Sequence, residues 1–436
     1  MTHRALGRTL ACAALVAACL AALPAAPAGA APRLCQGQPV TKVGRPGTTL
    51  VGTERADVLV TNGAGRVRAQ GGNDRICVTG SRGERVRVSA GAGADRVVVQ
   101  VDGEAVVVAH LGSGSDTYRG GDGPDRVSGG EEQISDQGPG ADAAPDDIRT
   151  GAGDDAVVAG GPRGLLDRID LGAGNDLLRL RSDPTVGTGV IAGSGGVDQV
   201  DVVGPVVAEL HLDASRGRVV SGGATTLRLS GLETYRVQTP TDVDLRFTGT
   251  AADETLDVNS ARSLDVRLGD GDDAVEGARL SGAASRLDGG PGDDAMALGG
   301  KYDDSVVAID APGGTASTTP GDPDHVAIAG FESLSGRGET VTVQGSDEPE
   351  ALAAYGCDLT VRGGGGADDV LVYGELTGED VRCDVKSHRA DGEGGDDVLT
   401  GSRTDDVLIG GPGTDRADGG GGGDDVCEAE TVVRCG

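Results

Sequence analysis

Aspartates recur in this chain at a fixed offset behind glycine. In GGDGPDRVS (120–128), GGPGDDAMA (289–297), GGGGADDVL (363–371), GGPGTDRAD (410–418) and GGGGGDDVC (419–427), the sixth position is Asp125, Asp294, Asp368, Asp415 and Asp424. The first, second and fourth positions are Gly, and the eighth is apolar. Looser copies place Asp74, Asp95, Asp116, Asp155, Asp176, Asp198, Asp273, Asp396 and Asp405 in the same way. The chemistry that suits such a stretch is the binding of a hard cation. Ca2+ takes six to eight oxygen ligands. Glycine, free to adopt left-handed backbone, lets a turn point carbonyls inward while one Asp supplies charge. Each of the fourteen Asp is therefore a candidate metal ligand, and the glycines shape the cage.

The elements that must hold these turns follow from the residues between them. Two positions after each Asp an apolar residue starts a short stretch, as in ICV and VVV, too short for a helix and suited to a strand with its apolar side chains turned in. Asp74, Asp95 and Asp116 are 21 residues apart, as are Asp155 and Asp176, and Asp273 and Asp294. That interval holds two strands and two turns, which predicts a coil with ligands on one edge and a plain turn, such as GSRGE or DGE, on the other. In the tail Asp396, Asp405, Asp415 and Asp424 follow at 9, 10 and 9 residues, which predicts ligands on both edges.

The nonapeptide GGxGxDxUx, with U apolar, resembles the calcium-binding repeat of the RTX, or haemolysin-type, family, in particular its exported actinobacterial members. The resemblance is dense at 50–205, 250–300 and 360–427. SGLETY (230–235) and AGFESL (329–334) look like the short strand that often precedes a repeat block in such proteins. It implies an all-β fold, a parallel β-solenoid or β-roll, with several bound Ca2+ as the cofactor. The toxin branch of that family has a carboxy-terminal export signal and a separate catalytic or pore-forming domain. This chain departs from both and ends in DVCEAETVVRCG, which speaks against a toxin role.

Composition agrees with a solenoid. The 436 residues include 78 Gly, no Trp, two Phe and five Tyr, so a thin aliphatic interior is expected in place of a globular core. The formal net charge is -31, and residues 1–30 carry Arg4 and Arg8 and no acid, which leaves -33 for the remainder. On the order of ten Ca2+ would offset about +20 of it. This acidic balance argues against nucleic acid or an anionic membrane surface as a partner.

Arg4 and Arg8 precede the apolar run TLACAALVAACLAAL, and Ala28-Gly29-Ala30 offers small residues for cleavage. Residues 1–30 are thus expected to be a signal peptide, with export to the cell exterior and no integral membrane segment. A lipid anchor at Cys19, within VAAC, is the lesser alternative. The six later cysteines allow 15 connectivities. Sequential pairing is expected, Cys35 with Cys77, Cys357 with Cys383 and Cys427 with Cys435, because the first and last pairs would close the two ends of a solenoid. The organisation expected is an amino-terminal array (31–205) with an acidic loop at 131–147, a degenerate β-rich middle (206–350) with a loop at 311–324, and a carboxy-terminal array (351–436).

Enzymatic patterns are missing from the linear sequence. The five His are isolated, and no GxSxG, HExxH or complete GxxxxGK[ST] occurs. Pairs such as Asp154-Asp155 recur with the repeat and read as a ligand with a solvent-facing neighbour. The leading expectation is a secreted calcium-binding protein, not an enzyme, with a structural or surface-interaction role. An adhesin for a cell-surface glycan or protein is one alternative. A polysaccharide-acting β-helix enzyme is the other, although no cluster of Lys or Arg is visible along the chain.

Overall fold

The computed structural model describes residues 33–80, 85–101, 105–130, 144–160, 166–180, 187–203, 208–221, 223–238, 243–259, 261–277, 285–299, 306–318, 325–374, 383, 387–421 and 424–436. The amino-terminal segment, with the expected signal peptide and Cys19, lies outside them. So do most of the acidic loop and the plain turns at 81–84 and 102–104.

Strand alternation builds the interior. In Arg66–Gln70 the residues Val67 and Ala69 point in and Arg66, Arg68 and Gln70 point out. Twenty-one residues later Val88 and Ala90 repeat the pattern, and Arg66, Val67 and Arg68 lie in parallel register with Arg87, Val88 and Ser89. Stacked in this way the inward residues form one aliphatic column: Val67, Val88, Ala109, Val127, Val157, Leu178, Val200 and Tyr235. It continues through Leu256, Val275, Met296, Leu334, Leu352, Val370, Leu399 and Ala417 to Val432. Its strands run from Thr49–Thr53 to Thr431–Val433 and form face B, which continues unbroken through residues 206–350. The protein is an all-β parallel solenoid.

Face A, which the chain visits between successive face B strands, begins with Lys42–Val43 and Val58–Val60 and is parallel as far as Val190–Gly195. There it takes in two antiparallel inserts. Ala224–Ser230, Arg218–Ser221 and Glu209–Asp213 form the first. Val306–Asp310, Thr315–Ser317 and Val326–Ala329 form the second. Each reverses on a glycine with positive φ, Gly217 (60°) and Gly314 (61°), behind an Asp that accepts the amide three residues on: Asp213 from Arg216 and Asp310 from Gly313. The expected loop at 311–324 is therefore replaced by the reversal and strand Thr315–Ser317, with 319–324 outside the described residues. A loop reading missed this because the run lacks the apolar alternation of a central strand. The acidic loop likewise ends early, since Asp147–Arg149 is a strand.

All three disulfides join sequential cysteines, Cys35–Cys77, Cys357–Cys383 and Cys427–Cys435, with Cα separations of 5.8, 5.3 and 6.0 Å. Three such bonds mark a non-cytoplasmic protein. The first ties the hairpin Leu34–Cys35 and Gln38–Pro39 onto the strand Arg75–Val78, and the last closes the final coil. Among the described residues, no helix is long and apolar enough to cross a membrane.

Close coil stacking explains part of the glycine content. Gly112 has φ 105°, and a Cβ placed there would overlap the carbonyl oxygen of Gly91 in the coil before. Gly112→Val is expected to destabilise the protein by on the order of 3 kcal/mol or more, through both the strained backbone and the clash. Gly65→Ala, which meets nothing within 4 Å at normal φ, should change little. Urea unfolding midpoints of the two variants check the difference.

Candidate functional site: two columns of carboxylates

The Asp of each turn is buried at the sheet edge, and consecutive coils are joined there by one repeated bond. Where the chain passes from face B to face A, the amide of each acid donates to Oδ1 of the acid one coil on: Asp57 to Asp74, Asp74 to Asp95 and Asp95 to Asp116 (each 2.7 Å), Asp116 to Asp146 and Asp146 to Asp167 (each 2.9 Å). On the opposite edge the same bond joins Asp125 to Asp155, Asp176 and Asp198, and Asp198 to Oε2 of Glu233. That edge continues with Glu254, Asp273, Asp294 and Glu332, and then with Glu350, Asp368, Asp397, Asp415 and Glu430.

Asp74, Asp95 and Asp116 thus stack as their spacing implies. Asp155 and Asp176, however, lie on the other edge from them. The expectation of one liganding edge before the tail is corrected: from Asp116 to Asp198 both edges carry acids. The nine residues from Asp116 to Asp125 are half a coil, and that step carries the motif across the solenoid.

The tail departs from the sequence reading by one residue. Asp396, Asp405 and Asp424 face solvent, whereas Asp397, Asp406 and Asp425 are buried at 1, 1 and 7 % exposure. Here Asp-Asp is followed by two apolar residues, Val398-Leu399 and Val407-Leu408, so either Asp has an apolar residue two positions on. Leu399 and Leu408 are the ones that pack inside. The alternation of edges expected in the tail does hold, with Asp397 and Asp415 on one edge and Asp406 and Asp425, linked by a 3.0 Å amide bond, on the other.

The carboxylates fall into two chemical states. Oδ2 of Asp74, Asp95, Asp125, Asp155, Asp176, Asp273, Asp294, Asp368, Asp397 and Asp415 is buried without a hydrogen-bond partner. Burial pushes Asp74, Asp125 and Asp155 up to about 7 and Asp95, Asp176, Asp273 and Asp368 up to about 6, and neighbouring acids of the column add to this for Asp74 and Asp273. Asp198, Asp294 and Asp397 are raised for the same reason.

Four other turns satisfy their own acid. They read Gly-Ser/Thr-x-x-x-Asp/Glu: Thr53 Oγ1 donates to Asp57 at 2.8 Å, Thr250 donates its amide and hydroxyl to Glu254, Ser346 does so to Glu350, and the Ser402 amide donates to Asp406 at 2.6 Å. Burial works against ionisation of Asp57, but hydrogen bonds from Thr53 and Thr41 outweigh it and hold its carboxyl below the usual range. These turns sit where the coil before offers no amide. Asp57 is first in its column; the amides of Glu233 and Glu332 are turned to Asp198 O and Asp294 O; and above Asp406 stands His388, whose Nδ1 lies 2.8 Å from Oδ1. The turns of Asp57, Glu254 and Glu350 keep only one glycine of the motif and so escaped the repeat, while the fourth was aligned one residue early, on Asp405. Their signal was the Gly five positions before the acid, shared with Gly392 and Asp397.

Among the described residues, no three His, Cys, Asp or Glu side chains converge on one point. A cation held here would take one carboxylate oxygen per turn and its other ligands from backbone carbonyls. The unpartnered Oδ2 atoms fit that role: a Cβ on Gly120, Gly289, Gly363, Gly392 or Gly410 would overlap or crowd Oδ2 of the Asp five residues on, so carboxylate and glycine backbone share each turn closely. Compared with protein-family models and with curated proteins, the chain matches none.

Proposed function

We propose that this is a secreted calcium-binding β-solenoid of the RTX type, with a structural or surface-interaction role, and that its carboxylate columns are cation sites. The observation that carries the reading is the row of buried Asp Oδ2 atoms without partners. A buried ionised oxygen without a partner is strongly unfavourable, and ten along the columns call for a shared counter-charge. Ca2+ supplies that charge and accepts carbonyl oxygens for the rest of its shell. The role of this chain's residues is to hold the oxygens in place. The amide-to-Oδ1 bond orients each of these carboxylates except that of Asp125, leaving Oδ2 for the ion, and the glycines admit the carbonyls. Export through residues 1–30 agrees with the disulfides and with the higher free calcium outside cells.

The test separates the buried from the exposed member of an Asp pair. In equilibrium dialysis with 45Ca, Asp397→Asn and Asp415→Asn are expected to lower calcium stoichiometry by one or two ions each, and Asp396→Asn to leave it unchanged. Equal stoichiometry in all three would refute the assignment. The reading also expects the self-satisfied turns to bind no ion, so Glu254→Gln should keep the parent stoichiometry.

A further inference from the structure

Charge is distributed unevenly along the solenoid. Residues 33–130 hold 13 Lys and Arg against 10 Asp and Glu, whereas residues 131–436 hold 23 against 59. Five of the ten acids of the first segment, Asp57, Asp74, Asp95, Asp116 and Asp125, are buried in the columns. The surface of the first coils is therefore basic in a chain of net charge -31.

Stacking gathers that charge on face B. Arg66 and Arg87 lie directly across from each other, Val108 follows, and Arg126 is next in the same row. Arg68, in register with Ser89, stands beside Arg66, and His110 follows Ser89. Arg66, Arg68 and Arg87 line one shallow groove with Ser89 and His110. Arg66, Arg68, Arg87 and Arg126 are all exposed, and no described carboxylate bonds them. Further along the same face Arg179 and Arg236 each find an Asp one coil on, Arg179 with Asp201 at 3.3 Å and Arg236 with Asp257 at 2.7 Å. Like charges directly across a ladder destabilise a sheet, so the first coils keep an arrangement that is neutralised at Arg179 and Arg236.

We propose that the outer face of the first coils, built on Arg66, Arg68, Arg87 and Arg126, is a docking surface for a linear acidic polysaccharide. A guanidinium fork binds carboxylate or sulfate in bidentate fashion. Adjacent strands stand about 4.8 Å apart and alternate residues of one strand about 7 Å apart, so the face offers cations about 5 to 10 Å from one another to a polymer that carries repeated charges. Thr49, Gln70 and Ser89 supply neutral hydrogen-bonding groups for sugar hydroxyls. The disulfides place the protein outside the cytoplasm, where acidic glycans are the abundant polyanions, and a flat sheet face presents no element to enter a nucleic-acid groove.

The test is surface plasmon resonance of the folded full chain, in 1 mM Ca2+, on end-immobilised hyaluronan, with dextran and a DNA duplex as further surfaces. Binding to hyaluronan is expected, weakening at least tenfold between 50 and 300 mM NaCl, with none to dextran. Arg66→Ser/Arg68→Ser/Arg87→Ser should weaken it at least tenfold, the Lys triple variant less, and Arg337→Ser/Arg416→Ser, far along the solenoid, less than twofold. These exposed substitutions should leave the far-UV spectrum unchanged. No binding at 50 mM NaCl, equal binding by the Ser triple variant, or equal affinity for DNA would overturn the proposal.

Discussion

Stripping calcium from the purified protein is expected to abolish most of its far-UV β-sheet signal, and returning Ca2+ to restore it. The reason lies in the columns. Without cations, buried carboxylates one coil apart repel one another along both edges, and ten buried Asp Oδ2 atoms lack a partner. The aliphatic column between the faces is one or two residues wide and offers little to oppose this. Extracellular calcium modules bind at roughly 0.1 to 1 mM. At about 1 mM free Ca2+ and a dissociation constant near 0.1 mM, each site contributes about 1.4 kcal/mol. About ten sites give ~14 kcal/mol, within the ~5 to 15 kcal/mol that stabilises an ordinary domain. Mg2+, which demands octahedral geometry and gives up water reluctantly, should not substitute. A spectrum already complete in chelator would defeat the calcium reading.

In calcium-free buffer, lowering the pH from 8 to 5 should restore structure. The column carboxylates that burial raises to about 6 or 7 keep protons in the folded state across a range where the unfolded chain, titrating near 4, has lost them. The folded state then binds more protons, so stability is present in full below about pH 4 and is lost as pH rises through 6 to 7. Each unit of displacement is worth about 1.4 kcal/mol. Even at half that value the seven acids raised to about 6 or 7 sum to on the order of 10 kcal/mol. Below pH 4 a counter-trend enters. Hydrogen bonding to Arg119 holds Asp147 low, and Arg262 does the same for Asp244, and that stability is lost as these acids protonate. Thermal melts at pH 5 and 8 on resin-treated protein measure the slope, and Asp74→Asn/Asp155→Asn should flatten it. A slope of the opposite sign, or one unchanged in the variant, would show that general charge repulsion, not the columns, sets the pH response.

Local features were legible in the amino-acid sequence because they repeat within a few residues. The Gly-Asp turns, the inward apolar residue two positions later, the parallel solenoid and the three sequential disulfides each follow from spacing or from the need to close an open end. Eleven of the fourteen Asp read as turn ligands stand in the buried columns; Asp396, Asp405 and Asp424 do not, since two successive apolar residues leave the register open by one. What only the tertiary structure decided depends on counting half coils through segments of uneven length. That count put Asp125 and Asp155 across the solenoid from Asp116. It let Glu233 and Glu332 close runs of Asp after antiparallel inserts, and made Thr53, Thr250, Ser346 and Ser402 partners of acids four residues on. It also gathered Arg66, Arg68, Arg87 and Arg126, spread over 60 residues of a strongly acidic chain, onto one face. A coil of about 20 residues advances the structure by one strand spacing, so neighbours on the surface are distant in sequence, and only the stacking register brings them together.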